Sequence, residues 1–234
     1  PNVIDAMQMD RLIAPTRPFN NVLRPGDGKI PDKIAYILCT GSRDSSLENA
    51  MACSGECSNN PICSQICCMY SIKQAQLLMG ALPMADITIY YMDIRAFGKG
   101  YDEFFQEAKS MGVNFVKGRI AKIFPKDQPN GDLILRYEDV TTGKLKESKH
   151  DLVVLSVGVL PNSSISRVFS NATLELDEQK FIKQIDELVN PAQTSIPGVF
   201  VAGTASGPKD IPDSILSAGT AAAEAASYIN TLTQ

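Results

Sequence analysis

The sequence predicts an α/β fold, and its residue patterns carry the prediction. Between residues 33 and 118 short apolar runs alternate with segments of helical period, which is the pattern of a parallel sheet with connecting helices. From residue 119 to 147 the period falls to two between turn signals, the pattern of an antiparallel meander. Two further apolar runs, ending at Gly158 and Gly203, complete the strand set, and the second leads into an Ala-rich stretch.

Residues 3–31 are rich in Pro, Asn and Gly, with a short helix-like stretch at 5–12, and read as a connector. The first strand is 33–38, an apolar run suited to burial on both faces. A polar loop at 40–60 follows, then a helix over 63–79 whose Ile66, Met69, Tyr70, Ile72, Leu77 and Leu78 give a mostly apolar face. The β-branched and aromatic run 86–92 is the next strand. A helix over 100–110 ends at Gly112, the residue type favoured in a left-handed C-terminal position. A strand at 114–118 closes a right-handed strand–helix unit of the dinucleotide-binding kind. Strands at 119–124, 133–137 and 144–147 form the meander, with turns at Pro129-Asn130-Gly131 and Thr142-Gly143. Residues 151–158 and 198–203 are buried strands, and 211–228 is a helix.

The 234 residues are 44% hydrophobic and 21% charged with a net charge of −4, the composition of an ordinary globular chain. No basic stripe suggests nucleic-acid binding, and no apolar run reaches the roughly 18 residues of a membrane span. The N-terminus lacks the basic start and apolar middle of an export signal, so the expected compartment is the cytoplasm. The chain starts on Pro1, without Met, and reads as a piece of something longer.

All six cysteines fall between Cys39 and Cys68. In a reducing compartment such clustering points to metal or redox chemistry more than to disulfides. Cys67 and Cys68 are adjacent, and Cys63 lies one helical turn before Cys67, so sulfurs converge from one helix start. Cys39 stands at the end of the first strand. Strand end and helix start meet at the carboxyl edge of a parallel sheet, where ligands bind, and a helix N-terminus favours the negative charge of a thiolate cluster. These four suit a [4Fe–4S] cluster. A zinc site, a disulfide or inert thiols remain alternatives, although adjacent cysteines are atypical of zinc ribbons. Cys53 and Cys57 have no assigned role.

A nicotinamide-binding unit would carry G-x-G-x-x-G after its first strand. The sequence there is Cys39-Thr40-Gly41-Ser42-Arg43-Asp44. The glycine loop is missing, and the cysteine loop takes its topological place.

The C-terminal part holds a second candidate site. Gly158 with Pro161, and the run ending Gly203-Thr204, resemble the two late motifs of two-dinucleotide-fold flavoproteins that approach FAD. The usual Asp after the glycine is replaced by Thr204, whose hydroxyl is the substitute contact. Lys209 is expected near the isoalloxazine, where it stabilises a reduced, anionic flavin. The helix is expected to begin after Pro212 and Asp213, with Ser214 to Ser217 presenting N–H groups to the flavin. Asp210 and Ile211 complete this set. A buried strand with a solvated Lys is the plain alternative. His150, the lone histidine, reads as inert, and Arg95 and Lys99 as a basic loop facing a partner, the cluster or solvent.

Four strings carry a family resemblance: 39–44, 60–75, 91–101 and 207–212. They include Cys67-Cys68-Met69-Tyr70 and Asp93-Ile94-Arg95-Ala96-Phe97-Gly98-Lys99-Gly100. Over nearly its whole length the chain resembles the A-subunit of heterodisulfide reductase, a family including bacterial relatives in sulfur metabolism. The resemblance implies a thioredoxin-reductase-like fold of two dinucleotide-binding domains, here without the N-terminal FAD fingerprint. It implies FAD, and a [4Fe–4S] cluster on Cys39, Cys63, Cys67 and Cys68. It also implies electron transfer within a complex of iron–sulfur proteins, and a homodimer. The domains expected are a connector from the FAD domain (1–31), a degenerate NAD(P)-binding-like domain with cysteines and meander (32–155), and the C-terminal part of the FAD domain (156–234). The stretch between Cys39 and Cys63 is longer than the family's. An NAD(P)H-dependent disulfide oxidoreductase and a cofactor-free or zinc-binding docking domain are the alternatives.

Overall fold

In the computed structural model, which describes residues 1–44, 60–126 and 131–233, a seven-stranded sheet organises the first of two units. That unit comprises Pro1–Gly41 with Cys67–Gly158, and the second comprises Ser42–Ile66 with Val159–Gln234. Its strands are β1 (Val3–Asp5), β2 (Lys33–Thr40), β3 (Asp86–Tyr91), β4 (Asn114–Pro125), β5 (Leu133–Asp139), β6 (Lys144–His150) and β7 (Leu152–Val157). Among the described residues their order is β1-β7-β2-β3-β4-β5-β6. The first five in that order run parallel, and β5 and β6 are antiparallel to their neighbours.

The apolar runs behave as their composition demands. Ile34 and Tyr36 point to one face and Ala35 to the other, and all are fully buried. The first face packs against α1 (Ala6–Ile13) and α2 (Cys67–Ala81) through Met9, Ile72, Ala75 and Leu78. On the opposite face Ala35, Tyr90 and Val153 meet Leu133, Leu135 and Tyr137 of the meander. Alternation along each strand thus feeds two cores.

Local differences from the sequence reading have physical causes. The segment read as a connector contains β1, which pairs Val3 with Val153, and α1, closed by a capping box between Asp5 and Gln8. Residues 114–125 form one continuous strand rather than two. It pairs in parallel with β3 through Lys117 and antiparallel with β5 from Gly118 onward. A Cβ at Gly118 would stand 2.7 Å from the Glu138 carbonyl oxygen, which explains the glycine. The helix α3 (Tyr101–Ser110) forms where expected, and Gly112 takes a φ of +100°. The start of β2 is held by the Asp151 carboxylate, which accepts the N–H groups of Asp32 and Lys33 at 2.8 and 3.0 Å. Residues 129 and 130 of the meander turn lie outside the described residues.

In the second unit, α4 (Ile211–Leu232) extends past the expected end at 228. Leu174, Ile182 and Val201 form a small core. The expected strand at 198–203 does not form. Its main chain bonds locally instead, Val201 N–H to the Ala192 oxygen at 2.8 Å and Val199 N–H to the Ile196 oxygen at 3.0 Å. Only an isolated bridge between Gln193 and Phe200 remains.

Candidate functional site

At the carboxyl end of β2 the register against β7 shifts between Ile37 and Thr40. Cys39 lies in this bulge with φ +59°, a left-handed conformation that costs a non-glycine residue about 1–2 kcal/mol. Bulges re-aim side chains beside functional sites, and Thr40 Oγ1 closes this one by donating to the Ile37 oxygen at 3.0 Å. Cys67 and Cys68 are the first two residues of α2, where main-chain N–H groups lack helical partners. All three cysteines are buried.

The thiols form one network. Hydrogen bonds from Cys39 and then from Cys68 pull the Cys67 thiol well below its ordinary range, against the effect of burial. The hydrogen bond to Cys67, together with burial, pushes Cys68 up. The Cys68 thiol can donate to the Asp93 carbonyl oxygen at 3.8 Å, and its sulfur accepts the main-chain N–H of Arg95 at 3.5 Å. Of the basic loop, it is the Arg95 main chain that reaches the cysteines. The guanidinium pairs with Asp93 at 3.8 Å.

Residues that the sequence reading did not assign to the site brace this turn. Tyr70 donates to the Val157 oxygen at 2.6 Å, and Ser71 and Ser156 share a hydrogen bond of 2.8 Å. Burial, then the neighbouring Cys67, pushes the Tyr70 hydroxyl up. Tyr70 and Ser71 stand three and four residues after Cys67, which puts them on its helix face, the signal by which they were legible.

Cys63 differs from the expectation. The helix begins at Cys67, so Cys63 is outside it and in the second unit. Ser64 prevents the helix from starting earlier. Its buried hydroxyl bonds Ser42 at 2.6 Å and accepts the N–H of Val159 at 3.0 Å. Gln65 then takes φ +61° and donates its N–H to Cys63 Sγ at 3.3 Å. Cys53 and Cys57 lie outside the described residues. Among the described residues no group of three or more His, Cys, Asp or Glu is arranged to hold a single metal ion. Cys39, Cys67 and Cys68 instead share hydrogen bonds, at a helix N-terminus and a parallel sheet's carboxyl end, and this donor set fits a thiolate-bound cluster.

Gly158 follows β7 in the first unit, and Pro161 lies in the second. The other expected flavin contacts gather in the second unit. A 3-10 turn, Gly203–Ser206, opens on Gly203 with φ +64°, whose N–H donates to Ser217 Oγ at 3.1 Å. A Cβ on Gly203 would lie 3.9 Å from Ser214. Lys209 donates to Ser206 Oγ at 2.8 Å, and burial lowers its ammonium pKa. Asp210 caps α4 by accepting the Asp213 N–H at 2.9 Å. The helix therefore starts at Ile211, as the 211–228 reading has it and ahead of Pro212 and Asp213. The Ser214 N–H is spent on the Asp210 oxygen at 2.9 Å, so it is not available to a ligand. Pro212 has no N–H, which leaves Ile211 as the donor at this terminus. Gly203, Thr204 and the start of α4 fit one wall of a flavin site.

His150 is buried. Its Nε2 lies 3.0 Å from the Tyr90 hydroxyl, Nδ1 has no partner, and burial lowers its pKa to about 4. No helix among the described residues is long and apolar enough to cross a membrane.

Known proteins resemble this chain in sequence and in fold. The chain is 41% identical over 97% of its length to the iron–sulfur A-subunit 2 of the CoB–CoM heterodisulfide reductase of Methanopyrus kandleri. It is 38% identical over 96% of its length to the A-subunit of the H(2):CoB-CoM heterodisulfide,ferredoxin reductase of Methanothermobacter thermautotrophicus. The chain spans about a third of the length of these relatives, 33% and 32%. Among solved structures, thioredoxin reductase of Lactococcus lactis is 18% identical with a TM-score of 0.57, matching 98% of this chain and 58% of that one. Thioredoxin reductase of T. acidophilum is 15% identical with a TM-score of 0.56, over 99% and 58%. These share the fold, as the sequence predicted. Residues 81–225 match the model of the pyridine nucleotide-disulphide oxidoreductases, a span that takes in both the later strands of the sheet and the Gly203 turn. With more than half of its residues inside that model, the chain belongs to the pyridine nucleotide-disulphide oxidoreductase family.

Proposed function

We propose that this chain is the electron-transferring core of a heterodisulfide-reductase-like oxidoreductase, active as one component of a complex. The carrying observation is the hydrogen-bonded set Cys39, Cys67 and Cys68. It stands where a nicotinamide-binding unit would place its glycine loop. Cys63, four residues before Cys67 and already an N–H acceptor, is the fourth ligand of a [4Fe–4S] cluster. When bound, the cluster supplies one-electron chemistry and FAD the exchange between electron pairs and single electrons.

The residues have distinct tasks. Cys39 is presented by the strained bulge, and Cys67 and Cys68 by the helix start. Tyr70 and Ser71 hold that turn on β7. Gly203, Thr204, Lys209, Asp210, Ile211 and, through its hydroxyl rather than its N–H, Ser214, with Gly158 and Pro161, form the FAD contacts. Ile211 provides the main-chain donor, and Lys209 offers positive charge to a reduced flavin. The partners are iron–sulfur subunits, the assembly contains a homodimer, and the compartment is the cytoplasm. The similarity to the A-subunits of heterodisulfide reductases supports this reading.

Anaerobic purification followed by iron, sulfide, zinc and flavin analysis tests it. Iron and acid-labile sulfide in equal amounts, lost on Cys67→Ser, are expected. Zinc without sulfide overturns the cluster assignment. Bleaching of a bound flavin by NADPH would favour a nicotinamide-dependent disulfide oxidoreductase instead.

A further inference from the structure

The main-chain N–H of Arg95 points at Cys68 Sγ from 3.5 Å, and the same sulfur lies 3.8 Å from the carbonyl oxygen of Asp93. Residues 93–95 therefore wrap the sulfur with one donor and one acceptor. Once Cys68 binds iron it has no proton to give the Asp93 oxygen, and of these two contacts to the sulfur the Arg95 N–H is the one that remains favourable. We propose that Arg95, through its main-chain N–H, is a positioning residue that sets the reduction potential of the cluster on these cysteines. This rests on the cluster reading above.

Reduction adds an electron whose charge spreads onto the ligand sulfurs. A fixed N–H aimed at one of them stabilises the reduced form more than the oxidised form and raises the potential. The Arg95 side chain is half-exposed and paired with Asp93, so its own charge is screened. The dipole of the part-buried N–H, aimed at the sulfur, is screened less.

The test separates main chain from side chain in the anaerobically purified chain. Arg95→Ala removes the guanidinium and keeps the N–H, whereas Arg95→Pro removes both. Redox titration followed by electron paramagnetic resonance is expected to give Arg95→Ala a midpoint close to wild type. Arg95→Pro is expected to disfavour reduction by about tenfold, which is about 59 mV for one electron. Equal midpoints for wild type and Arg95→Pro overturn the proposal, as does an equal shift in Arg95→Ala. Hyperfine spectroscopy gives a second measurement, which does not depend on folding of the proline variant. With arginine labelled at its main-chain nitrogen, a nitrogen-15 coupling to the reduced cluster is expected in wild type and lost in Arg95→Ala, which carries no label there, and its absence from wild type overturns the proposal. Intact iron and sulfide with an unshifted midpoint sinks this inference alone, whereas protein without iron and sulfide sinks it together with the cluster reading.

Discussion

The hydroxyl of Tyr70 donates to the carbonyl oxygen of Val157 across 2.6 Å, tying the first turn of α2 to the last residue of β7. Two elements far apart in sequence thereby fix where the cysteines at the helix start stand. Tyr70→Phe deletes the donor and leaves that carbonyl short of a partner. Net loss is expected at about 1 kcal/mol, measured by urea denaturation. An unchanged midpoint would show that water replaces the bond.

The φ of +59° at Cys39 makes a second prediction. Glycine adopts this conformation freely, and alanine does not. Cys39→Gly should therefore be more stable than Cys39→Ala by about 1 kcal/mol. Both variants lose the same sulfur, so comparing their denaturation curves isolates the backbone. Equal stability would mean the bulge relaxes when the thiol is gone.

His150 predicts a pH dependence. Its folded pKa, about 4, lies below the ordinary 6.5, chiefly because burial opposes the charged ring, with Lys33 adding to the effect and Asp86 opposing it. The unfolded chain thus binds the proton more readily. The stabilising effect of a neutral His150 is complete above pH 6.5 and is lost as pH falls toward 4, up to about 3 kcal/mol. Denaturation at pH 7.5 and 4.5 should show a steeper acid loss in wild type than in His150→Gln. Parallel losses would place the titration elsewhere.

Asp210 accepts the Asp213 N–H at the start of α4. Asp210→Ala should cost about 1 kcal/mol, and Asp210→Asn only a fraction of that. Thermal melts of the two variants decide it. If alanine and asparagine behave alike, the cap contributes nothing to stability.

Gly118 stands where β4 exchanges its parallel partner for an antiparallel one. A methyl group there meets the Glu138 oxygen at 2.7 Å and the Tyr137 ring at 3.0 Å. Gly118→Ala is expected to cost about 1–3 kcal/mol through strand displacement. Denaturation midpoints equal to wild type would show that the meander yields without strain.

Much of the sheet was legible in short windows. The runs at 33–38, 86–92 and 133–137 became strands because apolar and β-branched content is a local property. The run at 198–203 looked the same and failed, because a strand also needs a neighbour. Residues 192–196 offered only local bonds. Residues 3–5 erred in the other direction. Three residues carry no periodic signal, yet β7 supplies a partner.

Site residues divide along similar lines. Cys39, Cys67 and Cys68 stand out by type and spacing, and in the structure they share one hydrogen-bonded network. Cys63 was placed one helical turn before Cys67, on the premise that the helix already ran through it. The buried Ser64 bonds and the φ of Gln65 moved the helix start to Cys67. At α4, which starts at Ile211 as the 211–228 reading has it, the Asp210 main-chain oxygen takes up the Ser214 N–H that the flavin reading had reserved for a ligand.

By itself the sequence determined the order of elements, the change from parallel to antiparallel pairing, the cysteine-bearing loop and the missing glycine fingerprint. These depend on residue type and spacing within a few turns of chain. Only the tertiary structure decided that Cys39 sits in a left-handed bulge, that Val157 receives the Tyr70 hydroxyl, and that the main chain of Arg95 faces Cys68. Such features depend on register and main-chain direction between segments distant in sequence. Pairing such as that of Ile34 with Leu152 sets them, and no local window contains both partners.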